Sequence, residues 1–345
     1  FDPLEKNIEY DNSNIVQVEG VPVEDKIKDI SLDGAVLITN LEEVSYLFNL
    51  RDFSKNYSSK IRGKAVILNG RARLLDEIDD FVESYNGNIY VDKSCINAYD
   101  YRLVGDKLKI LQDSPIKLMK SVKTNDEISH YIDAFKRTDM AVKAIKEYIE
   151  NNDNISEYDI AVQLEKEFKR FGAKSLSFKS IVAKDKNSAL AHYSKCSKDE
   201  ILTDGSLVLI DCGAYYEQGL ATDITRVFVK GKPSDLQRKV YTTVLKMFLN
   251  AYNYKPSSDE QFVGYNIDSL ARKIYSENEI EGFVFNHGLG HGIGVSVHEY
   301  PPNLSKNEMA KVEIKNNMCF TIEPGLYNEK HFGVRLENSC YMKDG

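Results

Sequence analysis

The chain has 345 residues, 42% hydrophobic and 28% charged, a balance that suits two folded hydrophobic cores and excludes a disordered chain. Its net charge is −8, and no run of Lys and Arg is long enough to form a surface for nucleic acid or anionic lipid. No apolar stretch approaches the roughly 18 residues a membrane span needs, so no membrane partner is expected.

The opening FDPLEKNIEYDNSN has neither an initiator Met nor the basic-then-apolar pattern of a signal peptide. Residues 1–25 are therefore expected to be a linker, or the end of a first domain that is missing here. The five cysteines, Cys95, Cys196, Cys212, Cys319 and Cys340, make neither a CxxC pair nor a disulfide framework. Free thiols in a reducing cytoplasm are the expectation.

From 26 to 115 short β-branched runs alternate with helical ones. GAVLITN (34–40), KAVILNG (64–70), NIYVD (88–92) and KLKILQ (107–112) read as strands. LEEVSYLFNL (41–50), ARLLDEIDDFVESY (72–85) and a stretch near 95–103 read as helices. This predicts a small α/β domain with at least partly parallel strands. It carries no GxGxxG and no phosphate-binding loop, so no nucleotide site is expected there.

SPIKLMKSVKTN (114–125) reads as the joint to a second domain, placed at 116–345. Thr124 with Glu127 is a capping-box signal, and Ile128, Tyr131, Ile132, Phe135, Val142, Ile145 and Ile149 then recur at helical spacing. Ser156 with Asp159 opens a helix ending near Gly172, and Ser234 with Gln237 opens one carrying Val240, Val244, Leu245 and Phe248. A fourth helix is expected at about 267–277. SLVLIDCG (206–213), LATDITRVFVKG (220–231), NNMCFTIEPG (316–325) and FGVRLENSCYM (332–342) read as strands. The second domain is thus expected to be α+β, an antiparallel sheet with helices on one side.

Three of the six histidines, His287, His291 and His298, fall in NHGLGHGIGVSVHEYPP (286–302), interleaved with glycine. Glycine through strand-like sequence packs nothing and marks close backbone approach. The segment is not a zinc-protease HExxH helix, because no second His follows His298-Glu299 at the required spacing. Asp211 ends one apolar run and Asp223 begins the next, so a hairpin would set them side by side. Glu323 in TIEPG and Glu337 in VRLEN repeat that arrangement. A carboxylate at the end of a buried strand is costly unless paired or bound to metal. Four of them, with His291 at hand, satisfy the needs of a binuclear site, since two divalent cations carry about +4. Mostly oxygen donors with one imidazole favour Mn(II), and also suit Co(II), Zn(II) or Fe(II).

IDCG, ATDITR, HGLGHGIG, TIEPG and VRLEN together resemble, in order and spacing, the pita-bread metallopeptidases, which include methionine aminopeptidase, Xaa-Pro aminopeptidase and Xaa-Pro dipeptidase (prolidase). The resemblance spans roughly 116–342. It implies a pita-bread catalytic domain in which Asp211, Asp223, His291, Glu323 and Glu337 hold two metals. Asp211 would be bidentate on one metal, Asp223 would bridge both, and His291 would bind the second. It also casts His192, His287 and His298 around the substrate, with Arg335 and Tyr327 supporting the proton traffic of a metal-bridged hydroxide. His298 and His287 would donate to the developing oxyanion, and Glu323 would carry a proton to the leaving amine.

Within the superfamily, SPIKLMKSVKTNDEI and TNLEEVSYLFNLRD (39–52) look like the middle and linker regions of three-domain Xaa-Pro aminopeptidases of the cytosolic type. The 26–115 region then resembles a creatinase-like N-terminal domain, which methionine aminopeptidases lack. The resulting expectation is an aminopeptidase acting on peptides with penultimate proline, as a homodimer. Prolidase is the alternative within the enzyme class. A non-catalytic pita-bread module that binds peptides or proteins is the alternative outside it, although such relatives lose ligands and here none is lost.

Overall fold

A computed structural model describes residues 13–257 and 259–344. Of these, 13–55 and 59–120 form one unit, while 56–58 and the described residues from 121 onward form another. The division follows Lys120, inside the helix Pro115–Ser121 and past the expected boundary at 115/116.

In the first unit the sheet runs in the order Arg71–Leu75, Lys64–Leu68, Gly34–Ile38, Asn88–Asp92, Leu108–Leu111. Gly34–Ile38 is parallel to Asn88–Asp92, which is parallel to Leu108–Leu111, whereas Lys64–Leu68 runs antiparallel. The expected helix at 72–85 is corrected here. Arg71–Leu75 is a strand folded back on Lys64–Leu68, and only Asp79–Ser84 is helical. Asn69 and Gly70 both have positive φ, 52° and 70°, the two-residue turn that matches strand twist. The Asn-Gly between two alternating runs was the local signal for that hairpin, and it outweighs the helical spacing of the apolar residues after it.

The helix Leu41–Phe48 starts where the Asn40 side chain accepts from the Glu42 N–H and stops at Asn49, which is left-handed at φ 53°. The chain then turns into Leu50–Asp52, which pairs antiparallel with Ile15–Gln17. With the helix Val23–Ile27, residues 13–25 belong to the first unit; residues 1–12 of the stretch expected as a linker or domain end lie outside the described residues. Ala35, Leu37, Val66, Phe81, Ile89 and Val91 make its core.

The second unit repeats one order of elements. Helices Asn125–Asn151 and Glu157–Arg170 precede the antiparallel strands Ile181–Lys184, Leu207–Cys212 and Ile224–Val229. Helices Asp235–Tyr252 and Gly264–Glu277 precede Gly290–Gly292, Glu299–Leu304, Cys319–Ile322 and Asn338–Tyr341, again antiparallel. The helices beginning at Asn125, Glu157 and Asp235 have full capping boxes, set by Thr124 with Glu127, Ser156 with Asp159, and Ser234 with Gln237. Along the first of these helices Ile128, Tyr131, Val142, Ile145 and Ile149 are buried, with Ala134, Thr138 and Ala141 filling the same face. Ile132 is exposed and Phe135 half-buried, so the buried face does not include every apolar residue of the sequence pattern.

Along Leu207–Cys212 the side chains alternate. Val208, Ile210 and Cys212 join the core with Ile145, Ile160 and Leu164, leaving Leu209 and Asp211 to the opposite face. That alternation decides where the chemistry sits. Among the described residues no helix is long and apolar enough to cross a membrane.

Candidate metal centre

Asp211 pairs in register with Thr225, and directly paired residues share a face. Asp223, two residues before Thr225, projects from that same face, so one hairpin presents both carboxylates. The second pair arises differently. FGVRLENSCYM is not one strand but two, Gly333–Arg335 and Asn338–Tyr341, and Cys319–Ile322 is likewise followed by a separate Gly325–Tyr327. Glu323 and Glu337 lie in the gap between the two ladders, after Ile322↔Asn338 and before Gly325↔Arg335. Other strands hold their backbones there, Glu323 N–H donating to Leu289 C=O (2.8 Å) and Glu337 N–H to Thr225 C=O (3.3 Å). His291 stands at a register shift between Gly290–Gly292 and Glu299–Leu304. A Cβ on Gly290 would lie 2.0 Å from the Thr321 carbonyl oxygen, so that approach admits only glycine.

These residues surround one cavity of about 480 Å³, lined by Asp211, Asp223, His291, Glu323 and Glu337 together with His192, His287, His298 and Arg335. Ligand atoms of Asp223, His291 and Glu337 lie within 4.8 Å of one another. His291 Nε2 is 3.4 Å from Glu323 Oε1 and 3.6 Å from Asp223 Oδ2. The His291 Nδ1–H donates to Gly292 C=O (3.0 Å), which leaves the Nε2 lone pair facing the carboxylates. Burial, then the neighbouring His298, pushes the His291 imidazole down to about 3, so it is neutral.

The residues present fit divalent cations. Asp211 Oδ1 and Glu337 Oε1 are buried, and among the described residues neither accepts a hydrogen bond. Burial, then repulsion from Glu337 and Asp211, raises the Asp223 carboxyl well above the usual range, and burial with Glu323 and Asp211 does the same to Glu337. Glu323 is pushed up to about 8 by burial. Such a set is unfavourable as bare anions and favourable as ligands. A different cluster, Glu43, Asp92 and Cys95 in the first unit, contrasts with it. There Asp92 already accepts from Ser94 N–H and Oγ–H, from Ser114 N–H, and from Lys117 at 2.8 Å.

Behind the carboxylates runs a hydrogen-bonded chain. Arg335, 3% exposed, donates to Asp211 Oδ2 (2.6 Å), to Tyr327 Oη (2.8 Å) and to Thr225 Oγ1 (3.2 Å). Thr225 in turn donates to Glu337 Oε2 (2.8 Å). Tyr327 does not line the cavity but lies behind it, bonded to His287 Nε2 at 2.8 Å. The His287 Nδ1–H is taken by Gly288 C=O (2.7 Å), so the Tyr327 hydroxyl is the donor to Nε2. Burial, then Arg335, lowers His287 to about 4, consistent with a neutral ring.

Two contributors escaped the sequence reading. Thr225 was legible in principle, two residues from Asp223 on the same strand face. Arg272 was not. It pairs with the fully buried Asp268 and donates to the backbone C=O of Phe285 (3.3 Å) and of His287 (2.6 Å), from the helix that precedes them.

The profile of metallopeptidase family M24 matches residues 129–344. The Xaa-Pro dipeptidase of Pyrococcus horikoshii is 36% identical over 230 residues, which cover 67% of this chain and 62% of that relative. The chain therefore spans less than two thirds of the length of that curated relative. Human Xaa-Pro aminopeptidase 2 is 28% identical over 348 residues, covering 88% of this chain and 50% of its own. Among solved structures, the prolidase from Pyrococcus horikoshii OT3 superposes with a TM-score of 0.77 at 28% identity, covering 94% of each chain.

Proposed function

Because the chain belongs to metallopeptidase family M24, we propose that its pita-bread unit is a metal-dependent aminopeptidase that releases the first residue of peptides with proline in second position. Asp211, Asp223, His291, Glu323 and Glu337 would hold two divalent cations, Mn(II) foremost, with Co(II), Zn(II) or Fe(II) as alternatives. Bound cations would supply Lewis-acid polarisation and acidify water. The observation that carries the metal centre in this reading is the pair of buried, unsatisfied oxygens on Asp211 and Glu337 within a converging donor set.

The remaining residues act around that centre. His298 lies at the cavity with its imidazole pushed down by burial, and a neutral ring there donates to a carbonyl oxygen as charge develops on it. His192 lines the same space and would orient the peptide. Arg335 fixes both Asp211 and Tyr327, and the Tyr327 hydroxyl donates to Nε2 of His287, whose single N–H goes to Gly288, so His287 is a positioning residue here and not the oxyanion donor expected from the resemblance. Glu323, beside His291 and open to the cavity, would hold a proton and pass it to the leaving nitrogen. When proline leaves it does so as a secondary amine, so that protonation matters.

A second reading, Xaa-Pro dipeptidase, is favoured by the name of the 36% identical relative. Hydrolysis of Arg-Pro-Pro beside Arg-Pro, in Mn(II) and again after chelation, separates the two. Metal-dependent release of Arg from the tripeptide, with the dipeptide much slower, is the expected result. Cleavage of the dipeptide alone would replace the first reading by the second. The same proposal takes the first unit as a creatinase-like N-terminal domain and the enzyme as a cytoplasmic homodimer. Sedimentation of the purified chain tests the dimer.

A further inference from the structure

Glu157 is the first residue of the helix Glu157–Arg170 and is fully buried. Its carboxylate accepts four hydrogen bonds, two on each oxygen. Oε1 takes Lys184 N–H (2.6 Å) and Asn187 Nδ2–H (2.9 Å), and Oε2 takes the Tyr193 hydroxyl (2.7 Å) and Ser197 N–H (2.8 Å). A carboxylate has about four acceptor positions, so this one is saturated. All four donors come from a single stretch, 184–197, and the two backbone donors stand at its ends. Asn187 also donates to the Tyr193 hydroxyl (3.1 Å), joining two of the donors to each other. The helix start is engaged by the end of this stretch and the residues just after it, since Tyr158 N–H donates to Ser197 C=O and Glu157 N–H to Glu200 C=O.

That stretch forms one wall of the cavity, contributing Ala191, His192, Tyr193 and Ser194. It is short of regular structure, with one 3₁₀ turn at Asp185–Ala189, and so has little ladder bonding of its own to hold its shape. We propose that Glu157 is a positioning residue which, without touching the substrate, ties both ends and the middle of the 184–197 stretch so that His192 and Tyr193 form a preset wall of the substrate cavity. Buried negative charge is tolerated there because four donors and a helix N-terminus replace water. The role rests on the proposed exopeptidase reading only for its catalytic consequence.

The test uses Glu157→Gln in the full chain, with hydrogen exchange, Mn(II) uptake and peptide kinetics measured side by side. The amide keeps the shape but turns donors toward donors on one side of the knot. Exchange is expected to speed up within 184–197 and stay unchanged in the strands bearing Asp211 and Asp223. Mn(II) uptake is expected to match the parent, while KM for Arg-Pro-Pro rises about tenfold with kcat changed less than about threefold. Tyr193→Phe, which removes one donor, should move the same readings in the same direction by less. Unchanged exchange at 184–197, faster exchange across the whole unit, or an unaltered KM would each overturn the proposal. If Glu157→Gln does not fold, Asn187→Ala takes its place with the same readings. Should the parent chain bind Mn(II) but cut no Xaa-Pro peptide, the functional reading falls, and the exchange result alone decides the anchor.

Discussion

At the start of the helix Glu157–Arg170 one buried carboxylate receives four hydrogen bonds, whereas across the cavity Asp211 and Glu337 each keep a buried oxygen that receives none. Both regions bury negative charge in the same unit. In the first, the protein supplies every compensating donor, and the group acts as a fastener. In the second, compensation stops halfway: Arg335 holds one oxygen of Asp211 and Thr225 one oxygen of Glu337, while the other oxygen of each is left for a cation with several open coordination positions. Burial of an acid is therefore uninformative until its hydrogen bonds are counted.

The sharpest break in that comparison comes from the unsatisfied side. Asp223→Ala or His291→Ala should lower turnover at least about a thousandfold and reduce bound Mn(II), since either change removes a proposed ligand. Full activity with unchanged metal content in either variant would remove the metal-centre argument. Thr225→Val takes away the one donor given to Glu337 and a partner of Arg335. A roughly 10- to 100-fold loss of metal affinity is expected, the usual scale for groups that orient ligands. Titration with Mn(II) reads it, and an affinity equal to the parent's would show that Thr225 orients nothing.

Arg272→Lys tests support from further away. A lysine cannot hold the Asp268 carboxylate and two carbonyls in one planar fork. About a tenfold fall in kcat/KM is expected with metal binding intact, and unaltered kinetics would detach Arg272 from His287.

The smallest effect concerns pH. With the metal removed, Glu323 ionises near 8 in the folded chain against an ordinary 4.5, so between those values the folded state holds more protons than the unfolded one. Stability of the chelated protein from this group is full below about 4.5 and declines as pH rises through about 8. His287 and His291, lowered to about 4 and about 3 from 6.5, act in the opposite sense and only below about 6.5. Between pH 6.5 and 8 the melting temperature of chelated protein should fall by a few degrees, and that of Mn(II)-loaded protein should not. A flat profile for the chelated form would mean the carboxylates do not share the burden of burial described here.

Local rules carried much of this molecule. Three capping boxes and the alternation of the hairpin strands bearing Asp211 and Asp223 follow from residues close in sequence, where side-chain spacing and backbone geometry act directly. Glu323, picked out by type and spacing, and His192 and Arg335, implied by the family resemblance, line one cavity with His287 and His298. The hairpin at Asn69-Gly70 was equally local, and the helical spacing beside it obscured it.

Other features had no local cause. Glu323 and Glu337 face the cavity because the ladders break beside them, and bonds to Leu289 and Thr225 from distant strands hold the break open. Tyr327 reaches His287, Arg272 reaches its carbonyl, and Glu157 gathers 184–197 through contacts between segments that only folding brings together. Periodicity records which face a residue occupies. Whether a buried carboxylate finds donors for both oxygens or for only one depends on other segments of the chain, and that was settled only in the tertiary structure.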